Sequence, residues 1–154
     1  FDKRGGVPTL TLPFFREIAA TMGEQLLLVL AEHDGEIVAA AFCLMGARSL
    51  YGRHWGCSKD FHSLHFEACY YQGLEHCIAH GLERFEPGAQ GEHKVARGFL
   101  PVRTWSAHWI ADARFRKPIG KFLDHEIEGM EDYIAEMRRR SPYKSMPDEA
   151  MEAV

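Results

Sequence analysis

The dipeptide Asp34-Gly35 stands between two apolar runs, Leu26–Ala31 and Ile37–Met45. No other feature of the chain constrains its fold as tightly. Asp-Gly suits the positive φ angles of a type I′ turn, so His33–Glu36 is expected to close a β-hairpin. The flanking strands are expected at Gln25–Glu32 and Ile37–Met45. Gly46-Ala-Arg48 turns the chain again, and Ser49–Trp55 supplies a third strand, which makes an antiparallel meander. A helix opening at Thr11-Leu-Pro-Phe-Phe and stopping at Gly23 precedes it, because proline fits a first helical turn.

After the meander the period changes. Leu64, Ala68, Tyr71, Leu74 and Ile78 recur at helical spacing and predict a helix from about Leu64 to His80 with that stripe buried. Gly81 closes it as a left-handed cap. Leu82–Glu86 reads as a short strand, and a helix between two strands in this length suits a right-handed parallel crossover. Val102–Ile110 reads as a further strand, with Trp105, Ala107 and Trp109 alternating against Thr104, Ser106 and His108. Ile119–Arg140 is expected as a long amphipathic helix with Ile119, Phe122, Leu123, Ile127, Met130, Ile134 and Met137 on its apolar side. Tyr70, Tyr71, Trp105 and Trp109 read as core aromatics rather than ligand stackers. The pattern predicts an α/β (α+β) chain with a mixed sheet flanked by helices. It forms one domain over 1–140, followed by a flexible tail over 141–154.

Composition narrows the function classes. With 154 residues and 46% hydrophobic content the chain can bury a core of its own. It has no run of 18 apolar residues, so no membrane span is expected. Its net charge is −4, from 22 acidic and 18 basic residues, which argues against a general DNA binder. The local basic cluster Arg138–Arg140 falls at a helix C-terminus, where cations complement the dipole. Cys43, Cys57, Cys69 and Cys77 show no CxxC spacing and read as packed thiols in a reducing cytoplasm.

Chemistry concentrates in Glu86-Pro-Gly-Ala-Gln-Gly-Glu-His-Lys94. It joins carboxylates, a Gln, a His and a Lys to glycines, which let backbone N–H groups approach a ligand. The same run also suits a polar surface loop. An antiparallel meander that passes into a parallel crossover can open a cleft beside a helix N-terminus. The run resembles the most specific motif of the FemAB-like family of N-acyltransferases, whose members are associated with peptidoglycan biosynthesis or recognition. Leu50-Tyr-Gly-Arg-His-Trp-Gly-Cys57, Leu64–Gln72, Ala96-Arg-Gly-Phe-Leu-Pro101 and Ser106-Ala-His-Trp-Ile110 extend the resemblance from about Gly5 to Pro142. It implies an acyl-CoA N-acyltransferase-like fold and transfer of an acyl or aminoacyl group to an amine. The acceptor would be a small molecule or a peptidoglycan precursor. Family members are typically longer, and this chain looks like their C-terminal half. The resemblance allows acyl-CoA as donor, with aminoacyl-tRNA as the alternative. Gly56-Cys-Ser-Lys-Asp-Phe-His-Ser63 lacks the Gln/Arg-x-x-Gly-x-Gly/Ala loop by which many acetyl-CoA enzymes hold pyrophosphate. The alternative to an enzyme is a non-catalytic module on the same fold that binds a peptide or glycan. The sequence does not set the oligomeric state.

Transfer to an amine needs a base and donors for the developing oxyanion. Glu86, at a strand end, is the leading base, with Glu92 and His93 next. Lys94 and Arg97 can neutralise a phosphate or carboxylate, or simply line a solvated helical turn. Arg53 and His54 alternate to opposite faces of the third strand. Glu67 shares the stripe of Tyr71, Leu74 and Ile78, which turns it toward a cleft, although a carboxylate early in a helix also complements the dipole. Gln72 and Gln90 are candidate orienting groups. A metal reading rests on His62 and His65, three apart, and on His76 and His80, four apart. Without an adjacent carboxylate motif these read as a solvated polar face, and no metal is expected.

Overall fold

The computed structural model describes residues 10–88 and 91–143. The chain forms two compact units, Phe1–Ala89 and Gln90–Val154. The expected tail lies beyond residue 143, outside the described residues, apart from its first three positions.

The first unit opens with α1 (Leu12–Thr21), where the Thr11 side chain accepts from the Phe14 N–H and Pro13 occupies the first turn. A 3₁₀ turn leads into β1 (Leu26–His33), β2 (Glu36–Met45) and β3 (Ser49–Cys57). Asp34 and Gly35 have φ of 52° and 77°, as a primed hairpin turn requires. Both pairings of the meander are antiparallel. The crossover that follows is helical, and β4 (Arg84–Glu86) lies parallel to β3, giving the order β1-β2-β3-β4. The mixed sheet and its helices match the α/β expectation.

Register assigns the faces. Leu27, Cys43, Met45, Leu50 and Phe85 point to the helical side and meet Cys77 and Leu82. Leu50 is fully buried, and burying one such side chain stabilises by roughly 2 kcal/mol. Leu28, Phe42 and His54 share the opposite face, where Phe15 of α1 packs edge-on against Phe42 and His54.

The crossover helix departs from the expected stripe. It runs as α2 (Leu64–Phe66), a π turn (Glu67–Tyr71) and α3 (Gln72–His80), closed by left-handed Gly81. Ala68, Tyr70, Gly73 and Cys77 are the buried positions, while Tyr71 is 44% and Ile78 81% exposed. The wider π turn changes the phase of the helix, and the small Gly73 and Cys77 set the contact face. Tyr71 is therefore not a core aromatic, whereas Tyr70 is.

The alternation expected for Arg53 and His54 also fails. Register jumps from Phe42↔His54 to Cys43↔Gly52, which leaves Arg53 as the extra residue of a bulge.

In the second unit a 3₁₀ segment (Glu92–Arg97) ends at Gly98, and α4 (Ala113–Arg139) follows a long extended stretch. Val102–Ile110 is not a strand: no partner pairs with it among the described residues. Its tryptophans are outward, with Trp105 78% and Trp109 83% exposed. Arg103 stacks over Trp105 at 5.6 Å and Arg116 over Trp109 at 4.6 Å, contacts that serve exposed indoles rather than a core. α4 starts six residues earlier than the apolar pattern indicates, because Asp112 caps it by accepting from the Arg114 N–H at 2.9 Å. Of its apolar side, Met137 is buried, whereas Ile119, Phe122, Leu123, Ile127 and Met130 remain exposed.

Candidate functional site

The first unit carries two adjoining concavities beside the start of the crossover helix. The larger is a groove of about 390 Å³. Its walls come from the hairpin end of β1 and β2 (Ala31, Glu32, His33, Val38), from Phe61-His62-Ser63, and from Leu64, Glu67 and Tyr71. Ser63 holds a left-handed φ of 62°, and its carbonyl accepts from the N–H groups of Phe66 and Glu67. That turn aims the following residues into the groove, at the backbone cost a non-glycine residue carries there. The wall contains two carboxylates and two imidazoles but no Lys or Arg, so it suits a cationic or hydrogen-donating group.

The smaller cavity, about 260 Å³, lies between the end of β3 and α2 and is lined by Trp55, Cys57, Lys59, Asp60, Phe61, Leu64 and His65. His65 packs edge-on to Trp55 at 5.5 Å. Lys59 is the one cation in either wall, which makes this the more anion-compatible of the two.

β3 and β4 part after Tyr51, four residues along β3 before Trp55 of the smaller cavity. Their pairing stops at Tyr51↔Glu86, and Pro87 then passes beside Gly52, where an added Cβ would meet the Pro87 backbone at 3.4 Å. Beyond Tyr51, β3 has no strand partner on that side among the described residues. Its backbone donors and acceptors there suit an extended ligand.

The sequence candidates distribute as follows. Glu67 lines the groove, and its carboxylate accepts from Gln72 Nε2 at 2.9 Å, so these two are brought together. Gln72 reaches Glu75 as well, at 3.4 Å. Glu86 is exposed at the end of β4, in register with Tyr51. Arg53 occupies the bulge, and His54 packs against Phe15 and Phe42, so neither lines the groove or the cavity. In the second unit Glu92, His93, Lys94 and Arg97 share one 3₁₀ segment. Glu92 pairs with Arg140 at 3.6 Å, and Arg97 Nη1 donates to the His93 carbonyl at 2.7 Å. Lys94 and Arg97 thus lie on a helical turn. Gln90 lies outside the described residues.

Glu32, His33 and Tyr71 of the groove, and Lys59 of the cavity, were not legible as site residues. They come from elements far apart in sequence, and none sits in a dense motif. The one available signal was Asp60-Phe-His-Ser63, polar and aromatic residues just before a helix.

A family model settles the kinship. The FemAB_like model, described as peptidoglycan biosynthesis/recognition, matches residues 1–145. The chain belongs to this family. Membership places it among FemAB-like proteins of peptidoglycan biosynthesis or recognition, and the match does not single out a C-terminal half. No curated protein and no solved structure matches the chain. Among the described residues, no helix of this FemAB-like chain is long and apolar enough to cross a membrane.

Proposed function

We propose that this chain transfers an acyl or aminoacyl group to the amine of a peptidoglycan precursor. The observation that carries the reading is the FemAB-like match across residues 1–145. The parting of β3 and β4 supports it, since an extended acyl donor can pair with a strand edge there. The amine attacks the acyl carbon, a base takes its proton, and the leaving group departs from the tetrahedral intermediate. Glu86 and Glu67 are the carboxylates this reading offers as base, Glu86 at the strand parting and Glu67 in the groove. Glu92 and His93 are the second-unit candidates, with Lys94 and Arg97 for an anionic part of donor or acceptor. The donor is acyl-CoA or aminoacyl-tRNA, and the reaction belongs to the cytoplasm.

The non-catalytic reading is favoured by one observation: Phe61, Tyr71 and His33 give the groove an aromatic wall suited to a peptide or glycan. Calorimetric titration with acetyl-CoA, longer acyl-CoA thioesters and free CoA, followed by transfer assays with amine acceptors, tests the reading. Saturable CoA binding with turnover supports the CoA form. Binding of aminoacyl-tRNA with turnover supports the aminoacyl form. Saturable binding of precursor peptide with no turnover from either donor overturns transfer in favour of the binding module.

A further inference from the structure

The long helix α4 is amphipathic, yet most of its apolar side is uncovered. Within the second unit the 3₁₀ segment Glu92–Arg97 packs on it. That contact lies toward the C-terminal end, where Met137 is buried and Glu92 reaches Arg140. Further up the helix Ile119, Phe122, Leu123, Ile127, Met130 and Tyr133 stay exposed. Their spacing of three and four residues puts them on one side of the helix. The stretch from Ile119 to Tyr133 is about 21 Å long, which fits the side of another helix.

One carboxylate interrupts this face. Glu126 follows Phe122 by four residues and precedes Met130 by four, so it lies within the apolar stripe. It is exposed and has no ion-pair partner among the described residues. Glu131 and Glu136 differ in this respect: Arg103 holds the first at 2.7 Å, and Arg139 and Arg140 hold the second.

We infer that this face docks a basic amphipathic helix of a protein partner, with a Lys or Arg set among its apolar residues to meet Glu126. Three observations choose that occupant. First, covering Glu126 with apolar side chains alone is strongly unfavourable, so whatever covers the face must bring a cation. Second, residues 122–137 contain six Asp and Glu and no Lys or Arg. Such a field attracts a cationic partner and repels anionic lipid and nucleic acid. Helices that lie on membranes carry the opposite charge on their polar side. Third, the α4 of a second copy does not supply the cation. Lys121 and Lys117 precede Glu126 by five and nine residues, turns of about 140° and 180° around the helix, so they lie on its far side. Arg116 is engaged by the Ile110 and Ala111 carbonyls and stacks over Trp109.

Fluorescence anisotropy with the full chain and a labelled helical peptide of about three heptads tests the proposal. The probe has Leu at its core positions, Lys at the flanking positions and one Lys at a central core position. A matched peptide has Glu in place of each Lys. The basic peptide should bind saturably and the acidic one should not. Glu126→Lys should weaken the basic peptide at least about tenfold and bring in binding of the acidic one. Ile127→Asp should abolish binding. Both positions are exposed, so both variants should fold, as circular dichroism checks. Glu24→Lys, the same charge change at an exposed position of the first unit, should bind the basic peptide as the parent does. The proposal is overturned by no saturable binding of the basic peptide, or by equal weakening in Glu24→Lys and Glu126→Lys, which would make the attraction non-specific. It is equally overturned by a dimer in sedimentation that Ile127→Asp dissociates, or by binding to phosphatidylglycerol vesicles that Ile127→Asp removes. Those results would give the face to a second copy or to lipid.

Discussion

Gly73 of α3 lies against Phe85 of β4 so closely that a Cβ on Gly73 would stand 2.5 Å from the Phe85 ring. The same Cβ would reach Leu50, the fully buried centre of the core, at 3.4 Å. Gly73→Ala brings two opposed effects. Alanine favours a helix over glycine by about 1 kcal/mol, while overpacking costs about 1–3 kcal/mol. The clash is with a rigid aromatic ring, so the net change should be a loss of roughly 1 kcal/mol in urea unfolding. Pairing it with Phe85→Leu should recover part of that loss, and failure to recover would place the cost elsewhere.

The cysteines should divide by burial. The four are thiols rather than disulfides, with Cys43 and Cys77 buried and Cys57 and Cys69 partly accessible. Iodoacetamide at pH 8 should modify Cys57 and Cys69 first in the native protein, and all four in denaturant, as read by mass.

Burial, with the neighbouring Cys77, pushes the Cys43 thiol from 9.0 up to about 11. The folded state therefore prefers the neutral thiol. This contribution to stability is whole below about pH 9 and is lost as pH rises toward about 11, because the unfolded chain ionises first. Its size is on the order of 2 kcal/mol. Cys43→Ala should flatten this alkaline decline; an unchanged slope would assign the decline to other groups.

Trp105 and Trp109 are exposed and Trp55 is partly buried, and these are the chain's three tryptophans. Emission should be red-shifted and strongly quenched by acrylamide. Replacing Trp105 and Trp109 with Phe should leave a weakly quenched, bluer spectrum. Equal quenching before and after would contradict the exposed 102–110 segment.

Glu67→Gln and Glu86→Gln separate the two positions offered for the chemistry. If transfer runs from the strand parting, Glu86→Gln should lower kcat by about 10²-fold or more, with KM little changed. Glu67→Gln should then act mainly on KM for the amine, since its carboxylate lines the groove and meets Gln72. A loss of kcat confined to Glu67→Gln would move the base into the groove.

Much of the fold was legible because its signals were local. Thr11-Leu-Pro as helix opening, Asp34-Gly35 as turn and Gly81 as left-handed stop are short-range devices, and each occurs at its expected residue. What escaped depended on partners. The Trp105–Trp109 alternation is that of a strand, but a strand also needs a neighbour to pair with. The helix stripe was displaced by a π turn, which leaves no mark in residue periodicity. The groove was only partly legible for the same reason: Glu67 belongs to a visible helix face, whereas Glu32 and His33 join it only once the hairpin is folded.

The bulge at Arg53 falls just beyond the point where β3 loses β4 as a neighbour. A flat strand with an unsatisfied side is a template onto which stray β-segments can polymerise. An inserted arginine there twists the strand and places a charge along it, which discourages indefinite stacking of chains. The backbone groups further along remain available to one short guest, so the same residue that guards against aggregation leaves room for a ligand of limited length.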